Sequence, residues 1–149
     1  MGLDMYLTAR KYVSTWDEPG LREDLLDLFG LGDHSLPDSG VNVEFTVAYW
    51  RKANAVHAWF VDNVQGGIDD CRAVYVSRDD LLTLRDLCAK SLESKDASLL
   101  QPRAGFFFGS LEIDEWYWRD LEQTRDAIDR LLSDSTWTND WSFYYHSSW

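Results

Sequence analysis

Hydrophobic and polar residues alternate along the first dozen positions. In LDMYLTARKYV, Leu3, Met5, Leu7, Ala9 and Val13 fall on one side of an extended chain and Asp4, Thr8 and Arg10 on the other, which predicts a half-buried opening strand. Glu18-Pro19-Gly20 then introduces a helix whose stripe is Leu21, Leu25, Leu28 and Phe29, ended by Gly30 and Gly32. Residues 31–40, with Asp33, Pro37, Asp38 and two glycines, read as a loop. Val41, Val43, Phe45 and Val47 alternate again and predict a second strand feeding directly into a helix over 49–64, closed by Gln65-Gly66-Gly67.

CRAVYV predicts a third strand. Ser77 stands three residues before Asp80 and makes a capping box for the helix DDLLTLRDLCAKSLE, with Leu81, Leu84, Cys88 and Leu92 turned inward. After a loop over 95–103, AGFFFGS is too short and aromatic for a helix and predicts a strand buried on both faces. The segment IDEWYWRDLEQTRDAIDRLLSD is helical, with Tyr117, Leu121, Thr124, Ile128, Leu131 and Leu132 on one side, and WSFYYHSSW closes the chain as a strand and docked tail. About five short strands among about four helices predict one α+β layer domain spanning residues 1–149. Its sheet is expected to be mixed or antiparallel, because the first two strands alternate where buried parallel strands run continuously apolar.

Charge changes this picture more than size does. Fourteen basic against 26 acidic residues leave a net charge of −12, concentrated between Trp16 and Ser39 and again from Glu112 to Asp134. Such a surface repels a polyphosphate, so direct nucleic-acid binding is not expected, although an acidic surface can serve solubility or face a basic protein. No long apolar run signals secretion or membrane insertion, and Cys71 and Cys88 stand outside any CxxC spacing, so the expected setting is a reducing cytoplasm without disulfides.

The opening MGLDMYL, the block YWRKANAVHAWFVDNVQGGIDDC, the segment GFFFGSLEIDEWYW and the ending FYYHSSW resemble a family of small uncharacterised proteins of tailed phages and prophages. The likeness runs through most of the chain and is weakest around residues 17–40. It implies an accessory protein acting in the bacterial cytoplasm, a setting in which proteins of this size sequester nucleotide signals or otherwise inhibit host defence. It transfers no catalytic residue.

The candidate chemistry centres on AYWRKANAVHAWF, residues 48–60. On a helical wheel His57 falls inside an apolar arc with Asn54 on its edge, and buried imidazole and amide groups both need hydrogen-bond partners, from the core or from a ligand. Arg51 falls on a second arc with Ala55, Ala58 and Asp62, and Lys52 on a third, so the three do not form one compact cluster on that helix. GFFFGS supplies Phe107 for stacking and Ser110 near a helix start, but it is neither GxxxxGK[ST] nor GxGxxG and acids follow at once. Trp116, Tyr117 and Trp118 point three ways on a helix, so they cannot all be core and at least one faces a surface, an interface or a ligand. No metal motif is present, although Asp69-Asp70 after two glycines are acids on one turn, and no GxSxG or Cys-His spacing demands nucleophilic catalysis.

With the phage setting that the resemblance implies, the candidates predict a binding module without turnover and without a cofactor. It would capture a nucleotide-like small molecule through Arg51, Lys52, Asn54, His57, Arg103, Phe107, Ser110 and Trp116, with bases on aromatic rings and phosphates on the cations. Two alternatives differ in kind: an acidic inhibitor that docks on a host protein, and a small hydrolase with His57 as base. Eight Trp, seven Tyr and seven Phe exceed what a small core needs, which also leaves a homodimer open.

Overall fold

The first strand organises everything else. In the computed structural model, which describes residues 2–32, 40–105 and 109–149, β1 (Asp4–Val13) lies inside a four-stranded antiparallel sheet. It is flanked by β2 (Val41–Arg51) and by the last strand, β4 (Ser142–Ser148), which in turn pairs with the short β3 (Val74–Val76). The order β2-β1-β4-β3 places the end of the chain beside its beginning. Five α-helices complete an α+β architecture: α1 (Pro19–Leu28), α2 (Asn54–Asn63), α3 (Arg78–Ser94), α4 (Glu115–Ser133) and α5 (Ser135–Asp140). Among the described residues no helix is long and apolar enough to cross a membrane.

The core follows from the period-two pattern of the strands meeting the helical stripes. Leu3, Met5, Leu7 and Ala9 are fully buried and join Phe143 and Tyr145 of β4, Val56 and Phe60 of α2, Leu81, Leu84 and Cys88 of α3, and Leu121, Ile128 and Leu131 of α4 in one cluster. The capping box of α3 is present: Ser77 Oγ accepts from the Asp80 amide and the Asp80 carboxylate accepts from the Ser77 amide. The buried stripe of α4 is Tyr117, Leu121, Thr124, Ala127, Ile128 and Leu131, as its periodicity predicts, with Leu132 half-buried. Trp116, Tyr117 and Trp118 do diverge, the first exposed, the second buried and the third between.

Several expectations are corrected. The second strand does not yield to a helix at 49, for it runs through Arg51, and α2 begins only at Asn54. Pairing with β1 holds the strand to that point: Trp50 lies opposite Met5 and is buried. Lys52 then turns the chain with φ 60°, and its amide bonds to the Leu3 carbonyl. Arg51 and Lys52 therefore share no helical arc with anything. Strand β2 also carries a bulge. Leu7 faces Ala48 while Thr8 faces Thr46, so Val47 is the extra residue, and Val43, Phe45, Ala48 and Trp50 all end on the helix side.

In α1 the buried residues are Arg22 and Leu26, not the stripe Leu21, Leu25, Leu28 and Phe29, of which Leu28 and Phe29 are exposed. This helix meets the rest of the fold mainly through β1, so a single i, i+4 pair suffices to dock it. The third strand is shorter than CRAVYV, and α5 adds a helix where none was predicted. The predicted strand at AGFFFGS rests on residues 106–108, and most of the loop predicted over 31–40 on residues 33–39, which lie outside the described residues.

Candidate functional site

The strand-to-helix corner at Arg51–Asn54 forms one wall of a cleft of about 430 Å³. The opposite wall is the segment Gly109–Asp114 and the first two turns of α4. Its lining includes Arg51, Lys52, Asn54, Ser110, Glu112, Asp114, Trp116, Tyr117 and Asp120. The volume lies in the range of small-molecule sites, roughly 300–1,000 Å³. Five of the eight residues singled out from sequence meet here: Arg51, Lys52, Asn54, Ser110 and Trp116.

Each is positioned by a distinct local cause. The Asn54 amide donates to the Ser110 carbonyl at 2.7 Å and ties the two walls together. The Ser110 hydroxyl accepts from the Glu112 amide. Arg51 stands 3.9 Å from Asp4, itself the acceptor of the Tyr49 hydroxyl. At α2 the N-cap residue is Ala53, which offers no side-chain acceptor, so no side chain caps the helix start, and Ala55 and Val56 of its first turn line the cleft. A helix N-terminus beside two cations favours an anionic group.

Backbone strain sits at the same corner. Lys52 occupies the left-handed region with φ 60°, and Gly109, with φ 94°, approaches so closely that an added Cβ would lie 3.3 Å from the Lys52 Cβ. For a residue with a side chain that region costs on the order of 1 kcal/mol, which glycine avoids. Lys52→Gly is therefore expected to leave the fold equally stable or more stable by up to ~1 kcal/mol, and Gly109→Ala to destabilise it by about 1–2 kcal/mol. Paired urea denaturation curves check both. A large loss of stability in Lys52→Gly would mean that the lysine is held for the fold and not for the cleft.

The opposite wall is acidic. The Asp114 carboxylate caps α4 by accepting from the Tyr117 amide at 3.0 Å, and Tyr117 is anchored through its hydroxyl, which donates to the Leu100 carbonyl at 2.8 Å. Asp120 stands one turn beyond Trp116. Burial and then the neighbouring Asp114 carboxylate push the Asp120 carboxyl up to about 6, against the pull of Arg119. A carboxylate shifted this far in a cleft marks a functional candidate. The sequence reading missed it, although its spacing of four from Trp116 on an amphipathic helix was a readable signal.

Of the other three predicted residues, Arg103 and His57 do not join the cleft. Arg103 pairs with Asp62 and lines a neighbouring groove with Ala58, Trp59 and Asn63. Phe107 lies outside the described residues. His57 is 1% exposed and does not reach the cleft wall. Its Nδ1 is 2.7 Å from the Tyr145 hydroxyl and its Nε2 is 2.9 Å from the Asp69 carboxylate. An ionised carboxylate only accepts, so Nε2 carries a proton toward Asp69, and in the neutral ring Nδ1 accepts from the phenol. Burial, with Asp69 and Cys71 adding to it, raises Tyr145 well above the ordinary tyrosine range, so that phenol keeps its proton. Tyr145 also stacks on Phe60 at 3.9 Å, and Asp69 accepts from the Trp149 indole.

His57 thus pins the 65–73 loop and the last strand to α2. In this arrangement the imidazole is shielded from solvent. Asp70, the other acid of that turn, faces Arg72, and no cluster of three or more metal-ligating side chains occurs among the described residues. No protein-family model, curated protein or solved structure matches the chain, and the functional reading therefore rests on the chemistry of the cleft.

Proposed function

We propose that the protein is a binding module for a small nucleotide-like ligand, held in the cleft between the Arg51–Asn54 corner and α4 and released unchanged. One observation carries this reading: two cationic side chains and the uncapped start of α2 share a cavity of ligand size with Trp116, an indole 67% exposed. An anionic group fits the first wall and a flat ring the second. The sealed position of His57 argues against its use as a catalytic base, and among the described residues the cleft wall contains neither histidine nor cysteine. In the phage setting that the sequence resembles, such a module would sequester a nucleotide signal of the host. Asp120 favours a second reading, in which the raised carboxyl serves as a general acid or base on the bound ligand.

A thermal-shift screen with linear and cyclic nucleotides tests the first reading and separates it from the second. A ligand at ~100 times its dissociation constant should stabilise the fold by about 2.7 kcal/mol. Arg51→Ala and Lys52→Ala should each weaken the hit by roughly fivefold to tenfold, as loss of one charge-assisted contact at an exposed site implies. Recovery of intact nucleotide after denaturation supports binding, whereas a cleaved product moves Asp120 into catalysis. Absence of any shift across the panel would abandon the cleft in favour of the acidic surface and a protein partner.

A further inference from the structure

Resting on that reading, we infer that Asp120 reads the base, and that the cleft selects a purine presenting two adjacent N–H donors, of the guanine kind, over adenine and the pyrimidines.

Of the three carboxylates in the cleft only Asp120 is built to receive a ligand. Asp114 is committed to capping α4, where it accepts from the Tyr117 amide. Glu112 is exposed on an irregular segment, solvated and unconstrained. Asp120 is half-buried on the rigid body of α4, and among the described residues no hydrogen-bond donor reaches its carboxylate, since Thr124 bonds only to its backbone carbonyl. Its carboxylate oxygens remain accessible, so a ligand in the cleft can supply the donors that the fold does not.

The aromatic platform is placed to hold such a ligand. Trp116 and Asp120 are four residues apart on α4, one turn along the same stripe, and both line the cavity. The Arg119 guanidinium lies 4.9 Å from the Trp116 ring centroid and helps fix the indole. The two positions are about one helical turn, ~5 Å, apart along the axis, a separation that a purine lying on the indole can span. Guanine offers N1–H and the 2-amino group side by side, two donors that match the two oxygens of a carboxylate. Adenine sets a ring-nitrogen acceptor beside its amino group, cytosine does the same, and uracil flanks its one N–H with two carbonyls. Each of these would bring a lone pair against the anion. The phosphate end would meet Arg51, Lys52 and the start of α2 across the cleft, so the opposite charges on the two walls match the two ends of one ligand.

Calorimetry with GMP, IMP, AMP and UMP on the wild type, Asp120→Asn, and Lys52→Ala tests this. IMP keeps N1–H and lacks the 2-amino group. The expected order is GMP, then IMP, then AMP and UMP, with GMP about tenfold or more tighter than AMP. Asp120→Asn should abolish that ratio by weakening GMP and tightening AMP, whose ring nitrogen and amino group match an amide N–H and carbonyl, and Lys52→Ala should weaken all four alike. If the wild type binds GMP and AMP equally and Lys52→Ala weakens both, base selection is overturned and the nucleotide reading stands. If none of the four binds the wild type, both fall together. A preference for AMP would assign the edge recognition to another group and also overturn the inference.

Discussion

His57→Ala is expected to destabilise the fold by about 3–5 kcal/mol, a drop in melting temperature on the order of 10 °C for a chain of this size. The cost comes from what the imidazole leaves behind. Removing it strands the buried Tyr145 hydroxyl, the donor in a 2.7 Å contact, and takes from the Asp69 carboxylate a donor at 2.9 Å. Each unsatisfied buried group costs about 1–3 kcal/mol, and a cavity is added among Phe60 and Tyr145. Asp69→Asn, which keeps an acceptor facing Nε2, should cost only about 1 kcal/mol. Urea denaturation with both variants measures the difference. Nucleotide affinity of the folded His57→Ala protein should match the wild type, because His57 does not line the cleft. Stability within ~0.5 kcal/mol of wild type would show that the network contributes little, and loss of affinity in a folded variant would restore His57 to the site.

Asp120→Asn should move stability the other way. In the folded protein the carboxyl titrates at about 6, above its ordinary 3.8, because burial and Asp114 disfavour the anion. A raised folded value means that the folded state holds the proton more tightly. The stabilisation from that proton is full below the ordinary value and is lost as pH rises through about 6. At pH 7 the wild type therefore carries the cost of an ionised, half-buried carboxylate. At 1.36 kcal/mol per unit, reduced for partial solvent screening, that cost is on the order of 1–2 kcal/mol. The asparagine variant should be more stable than wild type by about this amount at pH 7, and the gain should disappear near pH 4. Melting temperatures at pH 4, 5, 6 and 7 give the profile. A flat difference across this range would mean that Asp120 is adequately solvated. A residue that lines a cleft and costs stability at pH 7 is what a binding function leaves behind.

Not every charged residue was equally legible. The buried stripe of α4 and the capping box at Ser77 could be read directly, because helical period and cap chemistry act within a few residues. The face of α1 could not. Leu21, Leu25, Leu28 and Phe29 make a respectable stripe, yet Arg22 and Leu26 are buried, since a two-to-three-turn helix at the margin of the fold takes its orientation from its anchor on β1. The candidate site was half visible. Arg51 and Lys52 were named, but they were assigned to separate arcs of a helix that begins only at Asn54. Arg103 was named for the same ligand and is spent on Asp62.

By itself the sequence determined the α+β class, the strong opening and closing strands, the inward faces of α3 and α4, and that Trp116, Tyr117 and Trp118 could not all be core. These are consequences of local periodicity, which any chain with this spacing must express. Only the tertiary structure decided where β2 ends, because the pairing of Trp50 with Met5, 45 residues earlier, and the turn at Lys52 depend on the distant first strand. It also decided that His57 is sealed between Tyr145 and Asp69 while Asp120 faces a cleft. A side chain's partners across the chain, and the desolvation it undergoes, are set by packing between distant segments, and no pattern within a single helix can encode them.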